Sequence, residues 1–342
     1  MNRSTPIRTP LLAVALACLS ASASAAPDAA PRDRAQAPSL SGPFVHRNLS
    51  VFLVRGPDRS LHVLTLPEAL DRKLVVVHET GSVNELAVEN LSVDTDVFIH
   101  AGDIVKGGRQ DRMVGQDVLL PPRSGRVPLG SFCVEQGRWS RRGAESAAAF
   151  GSADQMVVGS ALKVAARRDG DQGGVWREVS KMQDRLAGGL RQSVASELSP
   201  SSLQLALEHP KVQENAEGYL KALIGSPKGR NDVTGCVFVV NGRIAGGEVY
   251  ASTSLFRAMW PRLLRSAAVE AIAEGAPQGE PAKVTAAQVR AFVAAAGQGA
   301  ATTRDLSERV RLVTRESAGA LLFETLDRSH ADAPVHRSYV AK

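Results

Sequence analysis

Short β-branched runs separated by turn residues fill the first half of the chain, and their close spacing restricts the folds open to it. Glycine, proline, asparagine and aspartate lie between the runs and end each one after a few residues. Many closely spaced strands with short connections favour a sandwich or a barrel-like sheet. The predicted strands are Leu49–Val54, Leu61–Leu66, Lys73–Thr80, Asn84–Asn90, Asp96–His100, Arg112–Leu120 and Arg126–Val134.

The second half of the chain mixes helices with strands. Asn241-Gly242 separates two β-rich runs and predicts a tight hairpin, because a type I′ turn needs positive φ at both positions. Pro261 either kinks a long helix or marks its start. The helices are predicted at Gly174–Leu186, Pro210–Ile224, Leu255–Glu274 and Ala286–Ala296, and further strands at Arg309–Thr314, Gly319–Thr325 and Val335–Val340.

Together these patterns predict an α+β fold. The β-rich first half forms a sandwich or barrel-like sheet, and a mixed helix and hairpin second half follows it. About 300 residues after the N-terminal segment suffice for a substantial core. We expect one compact unit.

The N-terminal residues have the pattern of a cleavable export signal. Arg3 and Arg8 give a positive start, Leu11–Leu19 an apolar stretch, and Ala23-Ser24-Ala25 a small-residue cleavage site. Cleavage after Ala25 predicts a periplasmic or secreted protein. Lipidation at Cys18 is the alternative, although the three residues before it make a poor lipobox.

The expected organisation has three parts. Residues 1–25 form the signal peptide, and residues 26–41 form a disordered linker rich in alanine and proline. Residues 42–342 form the folded domain.

Composition argues against nucleic acid and membrane-spanning roles. The chain has 41 lysines and arginines against 35 acids, and removal of Arg3 and Arg8 reduces this excess from 6 to 4. Such a small and dispersed excess, with an aromatic fraction of 4%, predicts no nucleic-acid surface. No later stretch reaches the roughly 20 apolar residues of a spanning helix. The expected partner is a small molecule or a protein.

Two cysteines follow the signal peptide, Cys133 and Cys236. In an oxidising compartment they could pair. Both lie in apolar strand-like runs, where a free buried thiol behaves as a small hydrophobic group. Both interpretations stay open at this point.

Five segments occur in an order that resembles one protein family. They are AGDIVKGGRQDR, VPLGSFCVEQGRW, DQGGVWREVS, FVVNGRIAGGEVYASTSLFRAMWPRLLRSAAVEAI and ALLFETLDRSHADAPVHRSYVAK. This pattern is similar to the ARG and Rhodanese-Phosphatase-superfamily-associated domain family, and the likeness runs from about Gly42 to the C-terminus. The resemblance implies no established reaction or catalytic residue set, so candidate site residues come from the sequence itself.

The first candidate cluster is the turn Gly107-Gly108-Arg109-Gln110-Asp111-Arg112. Paired glycines allow backbone conformations closed to other residues, and such turns can aim several N–H groups at an anion. Arg109 or Arg112 would add two-point recognition of a carboxylate or phosphate. The alternative is a hairpin turn that Asp111 shapes by pairing with an arginine.

The second candidate cluster is Cys133-Val134-Glu135-Gln136-Gly137-Arg138-Trp139. Strand alternation places Cys133 and Glu135 on one face, an arrangement that can make a nucleophile and base. A carboxylate raises a thiol pKa, so activation would need a histidine or arginine nearby. Alternatively, Glu135 forms a structural salt bridge with Arg109, Arg112 or Arg138, and Trp139 seals a core edge. If the two clusters meet across adjacent strands, they form one polar network.

Known catalytic and cofactor motifs are absent from the sequence, so we predict no cofactor. The seven histidines show no ligand-like spacing, which predicts no metal site. The alternative is a metal site that the fold assembles from residues distant in sequence. His100 adjoins the first cluster and is the one histidine that merits a test.

Without a credible nucleophile, we expect a domain that binds a ligand or partner without catalysis. The predicted recognition surface consists of Arg109, Gln110, Asp111, Arg112, Glu135, Arg138 and Trp139. A hydrolytic enzyme is the alternative, with Glu135 as acid/base, Cys133 as a further catalytic candidate, and Arg109 or Arg112 stabilising an anion. In a second alternative the clusters only hold the sheet together.

Overall fold

The computed structural model of the chain describes Met1 and residues 38–143, 145–146, 148, 150–156, 159–277 and 279–342. The predicted signal peptide, with Cys18 and the cleavage point after Ala25, lies outside the described residues. The predicted linker lies outside them as far as residue 37.

Strands account for most of the first half and recur at the end of the chain. In chain order they are β1 (Ser39–His46), β2 (Leu49–Arg55), β3 (Val63–Thr65), β4 (Val75–Glu79), β5 (Glu85–Asn90), β6 (Asp96–Ile99), β7 (Asp103–Gly107), β8 (Arg112–Val114), β9 (Val118–Leu120), β10 (Arg126–Cys133), β11 (Phe150–Met156), β12 (Val233–Val240), β13 (Arg243–Tyr250), β14 (Ala300–Asp305), β15 (Val310–Glu316), β16 (Ala320–Asp327) and β17 (Ala333–Ala341).

Helices lie mainly between β11 and β14. They are α1 (Leu66–Asp71), α2 (Ser160–Lys163), α3 (Gln172–Leu190), α4 (Leu203–Leu207), α5 (Pro210–Leu223), α6 (Thr253–Glu274) and α7 (Ala286–Gly297). A π-helical turn at Val164–Asp169 and a 3₁₀ turn at Arg328–His330 complete the set of described elements.

The strands form three sheets. An antiparallel sheet of eight strands has the order β1-β2-β12-β13-β17-β16-β15-β14 and joins both ends of the described chain. A six-stranded sheet has the order β11-β7-β8-β10-β5-β4, and a small one the order β3-β6-β9. The fold is therefore α+β with a mostly β first half, a nearly closed barrel-like sheet and helices later, as the sequence predicts.

The centre of the eight-stranded sheet is covered on both faces. Every residue of β12 is buried, which explains its unbroken apolar run. Cys236 and Phe238 lie in one core cluster with residues of α6, whereas Val237 and Val239 lie in a second with Val289 of α7. The alternation along one strand thus decides which helix each side chain contacts.

Local signals gave most element boundaries to within a few residues. Asn241 and Gly242 have φ of 49° and 73° between β12 and β13, as the predicted hairpin requires. Ser252 caps α6 by accepting a hydrogen bond from the Leu255 N–H, and Pro261 lies inside that helix. The predicted strand Arg112–Leu120 was wrong as one element: it is two strands in different sheets, β8 and β9. β1 begins at Ser39, inside the predicted linker.

The described residues contain no helix that is both long and apolar enough to cross a membrane.

A tight contact between α3 and α6 generates a prediction about stability. A Cβ at Gly189 would lie 2.1 Å from the carbonyl oxygen of Ile272, whereas one at Gly188 would meet nothing within 4 Å. We expect Gly189→Ala to lower the free energy of unfolding by about 1–3 kcal/mol, because the helices must separate. Gly188→Ala should raise it by about 0.5–1 kcal/mol through helix propensity. Urea denaturation measures both, and equal effects would refute the contact.

Candidate functional site

The two polar clusters of the sequence do meet in the structure. β8 pairs with β10, and Arg112 lies opposite Cys133. Gln110 Nε2 donates a hydrogen bond of 2.7 Å to the carbonyl oxygen of Glu135. One pair of adjacent strands thus joins the GGRQDR turn to the CVEQGRW segment.

Charges from both clusters form what we call the carboxylate–arginine network: Asp111, Glu135, Arg138 and Arg142. Arg142 donates from both Nη atoms to Asp111, at 2.9 and 3.1 Å. Arg138 donates from Nε to Glu135 Oε1 at 2.7 Å, and its Nη2 lies 2.7 Å from the other oxygen. The sequence reasoning missed Arg142, which lies beyond the second cluster.

Most of this network is shielded from solvent. Asp111, Arg112 and Glu135 are fully buried, Gln110 is nearly so, and Arg138 is partly buried. Of the seven residues predicted as a recognition surface, Arg109 and Trp139 are exposed. The guanidinium carbons of Arg109 and Arg112 lie 5.5 and 5.4 Å from the Trp139 ring centroid, within the range of cation–π attraction.

The titration behaviour of the network follows from burial and pairing. Burial raises the pKa of Asp111 despite its hydrogen bonds with Arg142. Burial also opposes ionisation of Glu135, but the hydrogen bonds it accepts outweigh this effect and lower its pKa. Burial raises the pKa of Cys133 to about 11, so this thiol is protonated at neutral pH. Cys133 and Cys236 are both free and buried.

A second polar group, which the sequence did not reveal, lies between the small sheet and the eight-stranded sheet. His336 of β17 is fully buried between two carboxylates. Its Nδ1 lies 2.8 Å from Asp117 Oδ2 and its Nε2 2.9 Å from Glu248 Oε2. The two carboxylates outweigh the effect of burial and raise the pKa of His336.

Pairing of adjacent strands places these side chains together. Tyr250 of β13 lies opposite His336, and Glu248 lies opposite Ser338. The Ser338 hydroxyl donates to Glu248 Oε1 at 3.1 Å, and Lys163 Nζ lies 2.6 Å from the same oxygen. Burial alone would raise the pKa of Glu248, but Lys163 and His336 outweigh this effect and lower it.

Asp117 approaches from the turn between β8 and β9. Its carboxylate accepts hydrogen bonds from the Ala101 N–H at 2.7 Å and from the Thr325 hydroxyl. Arg167 Nη2 lies 3.3 Å from Oδ2. Burial alone would raise the pKa of Asp117, but Arg167 and His336 hold it well below its usual range.

His100, at the end of β6, completes this buried histidine cluster (His100, Asp117, Glu248 and His336). Its ring centroid lies 4.6 Å from that of His336. Burial lowers the pKa of His100 to about 4, so the ring is neutral. Ligand atoms of His100, Asp117 and His336 all lie within 4.8 Å of one another. Two imidazoles and a carboxylate at this spacing can hold a metal ion or relay a proton.

Glu248 also lines a cavity of about 40 Å³ between β13, α2 and α6. Lys163 and Glu270 line it with the backbone of Gly246 and Gly247. Burial raises the pKa of Glu270, and the Ser160 N–H donates a hydrogen bond to its carboxylate. The cavity therefore contains two carboxylates whose pKa values are shifted in opposite directions.

The carboxylate–arginine network generates a prediction. Removal of one partner from a buried ion pair leaves an uncompensated charge and costs about 3–5 kcal/mol. We expect Arg142→Ala to lower the free energy of unfolding by this amount, since Asp111 then loses the two hydrogen bonds that Arg142 donates. The matched control is Arg141→Ala, because Arg141 is exposed and such changes stay within about 0.5 kcal/mol. Chemical denaturation of both variants checks this, and a small effect at Arg142 would contradict it.

Comparison with known proteins gives one match. No curated protein and no solved structure matches the chain. Residues 38–340 match the ARG and Rhodanese-Phosphatase-superfamily-associated Protein domain. This match covers most of the chain and includes both polar clusters, the buried histidine cluster and the cavity. The chain belongs to the family of the ARG and Rhodanese-Phosphatase-superfamily-associated Protein domain.

Proposed function

We propose that this domain binds a small molecule through a compact cationic group, a primary amine, which enters the cavity at Glu248 and Glu270. The observation that carries the proposal is the surplus carboxylate in this cavity. Glu248 is paired with Lys163 at 2.6 Å. Among the described residues, no lysine or arginine forms an ion pair with Glu270.

The charges around Glu270 support a cationic ligand. Lys163 and Arg185 act on Glu270 from a distance, but each is paired with another carboxylate, Arg185 with Glu274 at 3.2 Å. Burial makes a carboxyl group without its own cation harder to ionise, which is the direction of the pKa shift of Glu270. An ammonium group beside Glu270 would supply the missing charge.

The size of the cavity limits what can enter it. About 40 Å³ is room for roughly three water molecules, on a scale of about 10–15 Å³ each. An amine head group fits this space, and the rest of the ligand would extend through the open side. The surface predicted from the sequence contributes the exposed Arg109 and Trp139, but its acidic groups are buried and already paired. The cavity is therefore the better-shaped binding site.

Amine binding can be tested with methylammonium, ethanolamine and putrescine as probes. We expect at least one of them to raise the melting temperature of the full chain and to give a saturable calorimetric titration. Acetate should do neither, because the cavity already contains two carboxylates. Glu270→Gln should remove binding. The control is Glu280→Gln, because Glu280 is exposed and does not line the cavity.

Loss of binding in Glu270→Gln with binding retained in Glu280→Gln supports the proposal. If none of the three amines binds the wild-type protein, or if Glu270→Gln binds them equally well, the cavity is not an amine site.

A pH prediction follows from the raised pKa of Glu270 and needs no ligand. A carboxyl group whose pKa is raised by folding contributes stability below its unfolded pKa of about 4.3, and this is lost as the pH rises through the folded value. The charged groups that face Glu270 are Lys163, Arg185 and Glu274. The net upward shift of the Glu270 pKa includes their effects. We expect Glu270→Gln to melt at a higher temperature than wild type at pH 8, with the difference shrinking towards pH 4. A less stable variant at pH 8 would contradict the shift.

A second candidate function is general acid–base catalysis in the same cavity. Opposite pKa shifts on Glu248 and Glu270 favour it, since paired carboxyl groups of this kind divide the roles of acid and base. Glu135, the acid/base of the hydrolytic alternative in the sequence analysis, is fully buried against Arg138 and Arg142. Chromogenic esters, phosphates and glycosides test this function. Turnover that falls about 10²–10⁴-fold in Glu270→Gln supports it, and no turnover excludes it for these substrates.

Export to the periplasm or medium is part of the proposal and rests on the N-terminal sequence. N-terminal sequencing of the protein from a bacterial periplasm should begin at Ala26. An uncleaved start in a cytoplasmic fraction would contradict export.

A further inference from the structure

The geometry points to a binding site for a divalent transition-metal ion, such as Zn²⁺, formed by His100, Asp117 and His336. The inference concerns these three residues of the buried histidine cluster and does not depend on amine binding in the cavity. It shares one residue, Glu248, with the proposed function.

The strongest observation is that His100 is buried without hydrogen-bond partners for its ring among the described residues. Its side chain is 1% exposed, and neither ring nitrogen has a hydrogen-bond partner among the described residues. A buried polar atom left without a partner costs about 1–3 kcal/mol. Two such atoms on one ring therefore indicate that another group binds to His100 in solution. Imidazole nitrogens are the commonest metal ligands, and no described group occupies either nitrogen of this ring.

His336 is held as a metal ligand usually is. In metal sites the second ring nitrogen of a histidine donates to a carboxylate or carbonyl group, which fixes the tautomer. Here Nε2 lies 2.9 Å from Glu248 Oε2. With the proton on Nε2, the lone pair of Nδ1 faces Asp117 Oδ2 at 2.8 Å. Two acceptors at this distance require either a proton or a cation between them.

A proton and a metal ion between His336 and Asp117 have different consequences for His100. A proton on His336 would satisfy Nδ1 and Asp117 but would leave both nitrogens of His100 unpaired. A metal ion would be within reach of all three side chains, because their ligand atoms lie within 4.8 Å of one another. The cationic Arg167, 3.3 Å from Asp117, opposes an additional positive charge. The negative charges of Glu248 and Asp103 act on His100 with the opposite sign and favour a cation there.

The donor set selects the class of ion. Two imidazole nitrogens and one carboxylate suit Zn²⁺, Fe²⁺ and Co²⁺, whereas Mg²⁺ and Ca²⁺ prefer oxygen ligands. Three protein ligands leave room for a water molecule or substrate in a catalytic zinc site. The Tyr250 hydroxyl is also buried and has no hydrogen-bond partner in the described part of the chain, and its ring stacks on His336 with centroids 4.6 Å apart.

The test uses the purified full chain. After treatment with EDTA, Zn²⁺ or Co²⁺ is added back, and bound metal is measured by mass spectrometry and by the visible absorption of Co²⁺. We expect one equivalent of Zn²⁺, a rise in melting temperature on its addition, and a Co²⁺ spectrum typical of nitrogen and oxygen ligands. Mg²⁺ should produce none of these changes.

Variants assign the site. His100→Asn and Asp117→Asn should remove the bound equivalent, and Glu248→Gln should weaken affinity about 10–100-fold as a positioning residue. His62→Asn is the matched control, because His62 is exposed. Glu270→Gln should keep its metal, so a failed amine experiment and a failed metal experiment remain distinguishable.

One result overturns the inference even if the variants do not fold. If the wild-type protein takes up neither Zn²⁺ nor Co²⁺, and nitrogen-15 NMR shows His336 as an imidazolium, a proton occupies the position assigned to the metal. Binding that persists unchanged in a folded His100→Asn variant also overturns it.

Discussion

Asp117 places a buried carboxylate between the small sheet and the eight-stranded sheet, and its pairing constrains much of the fold. Removal of a carboxylate from water costs several kcal/mol unless its partners are in place. Those partners come from separate parts of the chain: the Ala101 N–H, the Thr325 hydroxyl, His336 and Arg167. The segments that carry them must therefore assemble around Asp117 together.

The same principle joins other elements. Asp103 of β7 is paired with Arg262 of α6 at 2.6 Å, and Asp96 of β6 with Arg309 at 2.6 Å. Such pairs add little net stability compared with apolar contacts, but losing one partner is costly. We infer that they select which elements pack against each other, while the apolar clusters supply most of the free energy.

Sequence patterns predicted the local structure well and failed where tertiary contacts decide. The Asn241-Gly242 hairpin and the amphipathic helices depend on neighbours in sequence, so their signals are visible in the chain. β14 is exposed along its whole length and lacks an apolar face, so no alternation marks it. The run Arg112–Leu120 looked like one strand because the turn before Val118 is only three residues long, Gly115-Gln116-Asp117, and lies between two short apolar runs. That turn places the Asp117 side chain in the interior.

The candidate site was likewise predictable from the sequence only in part. The sequence raised the meeting of the two polar clusters as a condition, and the pairing of β8 with β10 fulfils it, although β9 of the small sheet lies between them in the chain. The burial of these clusters was not predictable, since arginine, aspartate and glutamate are usually exposed. The sequence marked His100 for a test but did not reveal the cluster, because Asp117, Glu248 and His336 are distant in sequence and meet only in the assembled fold.

Glu248 connects the two proposed sites and determines how they would influence each other. The same carboxylate faces the cavity and accepts the hydrogen bond that orients His336. An ammonium group in the cavity would draw charge density on Glu248 away from His336 and weaken that hydrogen bond. A metal ion on His336 would strengthen it and leave less negative charge for the ammonium. Because coupling between binding sites is reciprocal, each ligand would then reduce the affinity for the other by the same factor.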